Sequence, residues 1–229
     1  MRKQYILFAI ATVLSFAGCS SSTSSNPTTT PSVRPKIGSS FTYDEYTKNQ
    51  NHAIDTSTRT RVTYTLTDTA FTLVGKSNVY HYPGSDNSTE MDVHYETNGD
   101  VSLYIGFRAL GQTVFSEWIT MPVSSKTTFA PAPLSVSAGG IPGTVTTNLA
   151  YAGSDTTGVG TQTLSTIKTS GSYIGVFPAV SDTVTGVAVY QYAPQFQMLA
   201  KSDITVTGML GTNNLNGGQY QVLRSYTIK

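Results

Sequence analysis

The sequence predicts an all-β fold: a curved antiparallel sheet, built as a half-barrel or a sandwich, with little helix. Three observations lead there. Apolar and polar residues alternate with period two in several segments. Thr, Tyr and Val are plentiful, while charged residues make up 12% of the chain, against about a quarter in ordinary soluble domains. No stretch shows a strong helical period.

The strands follow in order. Val62, Tyr64 and Leu66 alternate with Thr63, Thr65 and Thr67. Met91, Val93 and Tyr95 alternate with Asp92, His94 and Glu96, and Val101, Leu103, Ile105 and Phe107 follow on the other side of Asn98-Gly99. A two-residue turn there would set Tyr95 against Ser102. A three-residue loop, Thr97-Asn98-Gly99, instead pairs Tyr95 with Val101, Val93 with Leu103 and Met91 with Ile105. It also gives glycine the left-handed position. A one-residue slip would turn the apolar set to solvent, so the three-residue loop is expected. Residues 131–160 hold Pro131, Pro133, Gly139-Gly140 and Pro142-Gly143, then Gly153, Gly158 and Gly160, and read as bends or loops between short strands. Val187-Ala188-Val189-Tyr190 is apolar on both faces and is expected to be central or covered. Gln195–Lys201 reads as a short helix after Pro194. Tyr220, Val222, Tyr226 and Ile228 are expected on one face of the last strand.

The first 18 residues read as a signal peptide. Met1-Arg2-Lys3-Gln4 is basic, Tyr5–Leu14 is apolar, and small residues precede Cys19. The apolar run is too short to span a bilayer, which takes about 20 residues. Phe16-Ala17-Gly18-Cys19 resembles the lipobox of bacterial lipoproteins, which implies cleavage before Cys19 and acylation of its thiol and new amine. Cys19 is the only cysteine, so no disulfide within the chain can form. Two or three acyl chains anchor stably where one binds marginally. By resemblance to lipoprotein sorting rules, Ser20 permits transfer to the outer membrane, on its periplasmic face. Residues 19–36 are the acylated Cys and a Ser/Thr/Pro-rich tether. Residues 37–229 suit a single β-rich domain.

Charge excludes one class of partner. Beyond the leader, 12 Lys and Arg face 13 Asp and Glu, and no basic patch points to nucleic acid. The phosphate-loop, dinucleotide, zinc-protease and nucleophile-elbow motifs are absent from the sequence. Hence no catalytic residue and no cofactor is assigned. Of three histidines, His52, His81 and His94, only His94 is a candidate base, and no serine near it has a recognisable elbow. Glu90, Asp92, His94 and Glu96 share a strand face, with His81 or Asp100 as helpers. Neighbours on that face stand about 6–7 Å apart, too far for all to hold one ion, so the expected role is a solvated face and no metal is assigned. Tyr80 and Tyr82, and Tyr190 and Tyr192, form aromatic pairs that could line a groove but are expected as sheet-edge packing. Trp118 is expected in the core or across strands.

Several short motifs resemble uncharacterised β-rich cell-envelope lipoproteins: Gly38-Ser39-Ser40-Phe41-Thr42-Tyr43, Asn98–Tyr104, Trp118 followed by Met121-Pro122, and Tyr192-Ala193-Pro194. A more distant resemblance is to the LolA/LolB carriers of lipoproteins, which implies a half-barrel around an apolar cavity closed by helices. The sequence lacks clear lid helices, so the carrier function does not follow with the fold. The leading expectation is a non-enzymatic, membrane-anchored envelope component that binds a lipid or other apolar ligand. An interaction module for an envelope protein or polymer, and an enzyme, are the alternatives. An apolar cavity of roughly 300 Å³ or more between sheet and loops discriminates the first.

Overall fold

The computed structural model describes residues 33–109 and 112–229, with the side chains of 106–115 left aside. Cys19, the leader and most of the tether lie outside the described residues. Fifteen strands follow in order: β1 (Ser40–Lys48), β2 (Thr60–Thr65), β3 (Asp68–Leu73), β4 (Lys76–Pro83), β5 (Glu90–Tyr95), β6 (Val101–Ala109), β7 (Gln112–Met121), β8 (Thr128–Phe129), β9 (Leu134–Ala138), β10 (Ile141–Val159), β11 (Gln162–Phe177), β12 (Asp182–Ala193), β13 (Met198–Leu210), β14 (Asn213–Asn214) and β15 (Gly217–Thr227). The helical parts described are two three-residue 3-10 turns.

Two antiparallel sheets form a sandwich. The small sheet is a meander, β3-β4-β5-β6-β7. The large one runs β2-β1-β15-β13-β12-β11-β10, with β8 and β9 sharing the free edge of β10. A second sheet, rather than lid helices, thus faces the large one. The inner faces meet in a core that includes Phe41, Tyr43, Tyr82, Val93, Leu149 and Leu223. Each buried aliphatic or Phe side chain contributes about 1.5–3 kcal/mol. A second cluster, with Val136, Phe177, Val206 and Leu210, sits where the long strands run on.

The β5–β6 hairpin forms in the expected register, with Tyr95 opposite Val101 and Val93 opposite Leu103. The Glu96 amide donates to Asp100 (2.9 Å) across the loop, and Gly99 has φ +88°, where a side chain would be strained.

Four expectations are corrected. Residues 131–160 are not loops between short strands: β10 alone spans Ile141–Val159. Gly139-Gly140 make the tight turn from β9, both with positive φ, and a register shift between Tyr151 and Ser154 bends the long strand. Gln195–Lys201 is not helical. Ala193 pairs with Met198, so residues 194–197 form a hairpin turn, with Gln197 at φ 53°. Tyr220 and Tyr226 do not share a face. Thr42 pairs with Ser225 but Tyr43 with Leu223. The extra residue switches sides, so Tyr226 packs on Phe196 (ring centroids 4.5 Å) and Tyr220 lies against Tyr46 outside. The Tyr pairs are core rather than edge packing: Tyr82, Tyr190 and Tyr192 are buried, because β4 and β12 are both flanked by strands on two sides.

Val187 belongs to the central strand β12 as expected, yet it is 52% exposed, so that outer face is uncovered. Trp118 is buried beside its cross-strand partner Tyr104 (5.3 Å). Its indole N–H donates to the carbonyls of Leu73 (3.3 Å) and Val74 (3.2 Å), where the β3–β4 tip folds over it.

Candidate binding cleft

Strand register builds the site. Thr60, Glu45, Gln221, Ser202 and Tyr190 stand opposite one another in turn across β2, β1, β15, β13 and β12. This polar row interrupts the apolar inner face just beyond Tyr43. The facing wall comes from β5 and β6, with Met91, Leu103 and Ile105 pointing inward. Between them lies a cleft of about 550 Å³, within the range of small-molecule sites.

Its polar groups are held by their neighbours. Glu45 Oε1 accepts from the Tyr64 hydroxyl (2.8 Å) and from Gln221 Nε2 (2.9 Å). Burial pushes the Tyr64 phenol up, so it stays a donor. Asp86 caps its own turn, accepting from the Thr89 hydroxyl (2.8 Å). That bond, with others from Ser88 and Thr89, lowers its carboxyl to about 2.

A pit adjoins the cleft, sharing the walls Ile105, Tyr190 and Ile204. It holds about 70 Å³ among Val145, Phe177, Val184, Val206 and Leu210. Gly175 and Gly186 leave this room: each stands in an inner position where its neighbours carry side chains. At its mouth the Tyr173 and Tyr190 hydroxyls bond each other (2.9 Å). Burial drives the Tyr190 phenol up to about 12. The pit is apolar but well short of 300 Å³, and the larger cleft is mixed in polarity. The expected large apolar cavity is therefore replaced by an amphipathic one.

The polar face singled out in the sequence is divided in the structure. His81 Nδ1 lies 2.8 Å from Asp92 Oδ1, directly across the strands, and Phe71 stacks on the His81 ring (4.6 Å). Burial raises the Asp92 carboxyl, against the hydrogen bond from His81. Glu90 brings a carboxylate oxygen within 4.8 Å of ligand atoms on both. Glu96 is instead paired to Lys76 Nζ (2.6 Å) and bonded by Ser102, and His94 Nε2 is 3.8 Å from it. Asp100 is elsewhere: its carboxylate accepts the amides of Val123, Ser124 and Ser125 and the Ser125 hydroxyl. Burial alone would raise its pKa; these bonds outweigh burial and lower it to about 2. His52 sits at the far end, 3.1 Å from the Val206 carbonyl. The alternation placed Tyr64, Met91, Leu103 and Ile105 on apolar faces, as found, but missed Glu45 and Gln221. The signal was there in Phe41-x-Tyr43-x-Glu45, an alternation that points a carboxylate inward.

No protein-family model matches the chain, and no curated protein matches it significantly. Two solved structures are similar. One, described as a "putative lipoprotein" from Parabacteroides distasonis, is 13% identical with a TM-score of 0.50, covering 85% of this chain and 97% of its own. The other, from Bacteroides fragilis, is described as a "putative exported protein with YmcC-like fold"; it is 13% identical with a TM-score of 0.46 over the same shares. The first likeness shows a shared two-sheet fold.

Proposed function

We propose that this chain is a lipid-anchored protein of the bacterial cell envelope that holds an amphipathic molecule between its sheets without transforming it. The adjacency of pit and cleft carries the reading: an alkyl end fits the apolar pit, and polar atoms meet the row from Glu45 to Tyr190. The lipobox at Cys19 and the leader support the envelope address, and Ser20 the periplasmic face of the outer membrane. Residues 33–34 dock at one end of the sandwich. The Val33 amide donates to Gln195 O (3.1 Å), and the Arg34 guanidinium lies over Tyr95 (4.7 Å). Val206 of the pit stands roughly 30 Å away along β13 at about 3.3 Å per residue. The pit is thus at the opposite end of β13 from where residues 33–34 dock.

The test is native mass spectrometry of residues 20–229 secreted without the lipid. A stoichiometric amphiphile that leaves on denaturation supports the reading. A bare mass counts against it and turns attention to an interaction module, with crosslinking from the exposed Ile174, Val176 and Val187 on the outer face of the large sheet. Cys19→Ser is expected to move the protein from the membrane to the soluble fraction; continued membrane association would overturn the anchor.

A further inference from the structure

We infer that the ligand of the cleft carries a positively charged head group, an amine or quaternary ammonium on an alkyl chain. This rests on the binding reading above and adds the sign of the ligand's charge. The cleft has the Glu45 carboxylate on its inner face and Asp86 at its rim, and no Lys or Arg lines it; the Glu90 carboxylate lies with His81 and Asp92 on the opposite face of the small sheet. The nearby cations are committed elsewhere. Arg59, Arg61 and Arg224 converge on Asp44, which alternates out of the inner face. Lys48 is bound to Asp203 and Thr205. Tyr64 and Tyr190 also line the cleft, and aromatic faces attract cations. An anionic head would meet the Glu45 carboxylate inside the cleft and Asp86 at its rim, like charges that repel it. Glu45 already accepts two hydrogen bonds, and Asp86 is exposed at the rim.

The experiment compares three probes of one chain length, each below its micelle concentration, by calorimetry on residues 20–229. The fold is complete within that span, since Pro31–Lys229 form one compact unit. The probes are dodecyltrimethylammonium, dodecyl maltoside and laurate. The expected order is cation over neutral over anion, with at least about a fivefold step from neutral to cation. That step is expected to shrink as salt rises and to fall severalfold in Glu45→Gln, its folding checked by a thermal melt, while Glu90→Gln, on the opposite face, leaves it unchanged. Equal binding of all three, or a preference for laurate, overturns the charge inference while leaving the cleft as a binding site. Binding of none overturns both. Tetramethylammonium alone is expected not to bind; if it binds as well as the long-chain probe, a free cation is the ligand, and the pit has no part in recognition.

Discussion

At the scale of single residues, one carboxylate ties three strands together. Asp44 is almost wholly buried on the outer face of the large sheet and takes Arg61 at 2.8 Å, Arg224 at 2.8 Å and Arg59 at 3.1 Å. The Arg61 hydrogen bond, with those from Arg224 and Arg59, lowers its carboxyl to about 2 against the cost of burial. A carboxyl whose folded pKa is depressed adds stability above its unfolded value and loses it as pH falls through the folded one. The contribution is therefore full above about pH 5 and fades between about 4 and 2. Asp44→Asn is expected to cost about 1–2 kcal/mol near neutral pH, the half-exposed arginines tempering the effect. In urea melts across pH, the gap between wild type and variant should close toward pH 2. A constant gap would mean that packing, not charge, is what Asp44 supplies. Gly186 makes a second test. A Cβ built there touches Tyr173 at an ordinary 3.4 Å, so Gly186→Leu can fill the pit while the strand stays paired. Weaker binding of dodecyl than of hexyl probes is expected, and an unchanged chain-length preference would remove the pit from the site.

At the scale of elements, legibility followed alternation. The β5–β6 hairpin could be read to the residue because both strands carry an unbroken apolar stripe, and because only one loop length kept the two stripes together. β10 was missed for the opposite reason. Its inner face uses Val145, Thr147 and Leu149 while its exposed face carries small and polar residues such as Thr144, Thr146, Asn148, Ser154 and Thr156, and glycines punctuate it. Composition alone reads such a segment as loop. The tertiary context makes it a strand: it pairs with β11 along most of its length. One glycine is fixed there by close approach. A Cβ on Gly171 would fall 1.8 Å from the Asn148 carbonyl oxygen, whereas Gly158 faces open space. Gly171→Ala is thus expected to cost about 3 kcal/mol or more by forcing the strands apart. Gly158→Ala is expected to be neutral or to stabilise by up to about 1 kcal/mol. Thermal melts of the two variants side by side check this, and similar shifts would show that β10 and β11 do not approach so closely. The β3–β4 tip over Trp118 offers a spectroscopic handle. The sole tryptophan should emit at short wavelength and resist iodide, and Lys76→Ala, which removes a cation 5.6 Å from the ring centre, should raise its quenching only modestly.

At the scale of the whole molecule, the fold class and the inner faces were readable from periodicity, but the cleft was not. It arises where β1, β2, β12, β13 and β15 lay one polar row beside the wall of β5 and β6, and no local pattern announces which strands become neighbours. Helical period was equally silent about the turn at 194–197, where Pro194 opens a reversal that the buried Phe196 pins. The order of the large sheet has one more consequence. Its last strand in the chain, β15, is not added at an edge but sits between β1 and β13, and Asp44 meets Arg224 from 180 residues away. Until residues 217–227 arrive, β1 has one partner and β13 lacks its second. The sandwich therefore cannot close from its beginning onward as it is made. Its assembly waits for the end of the chain, and the loop to be closed is nearly the whole polypeptide. Refolding followed through Trp118 should accordingly take milliseconds to seconds or longer. Up to that moment only the sequential hairpins, the β3–β7 meander and β10 to β13, have all their partners in the chain already made.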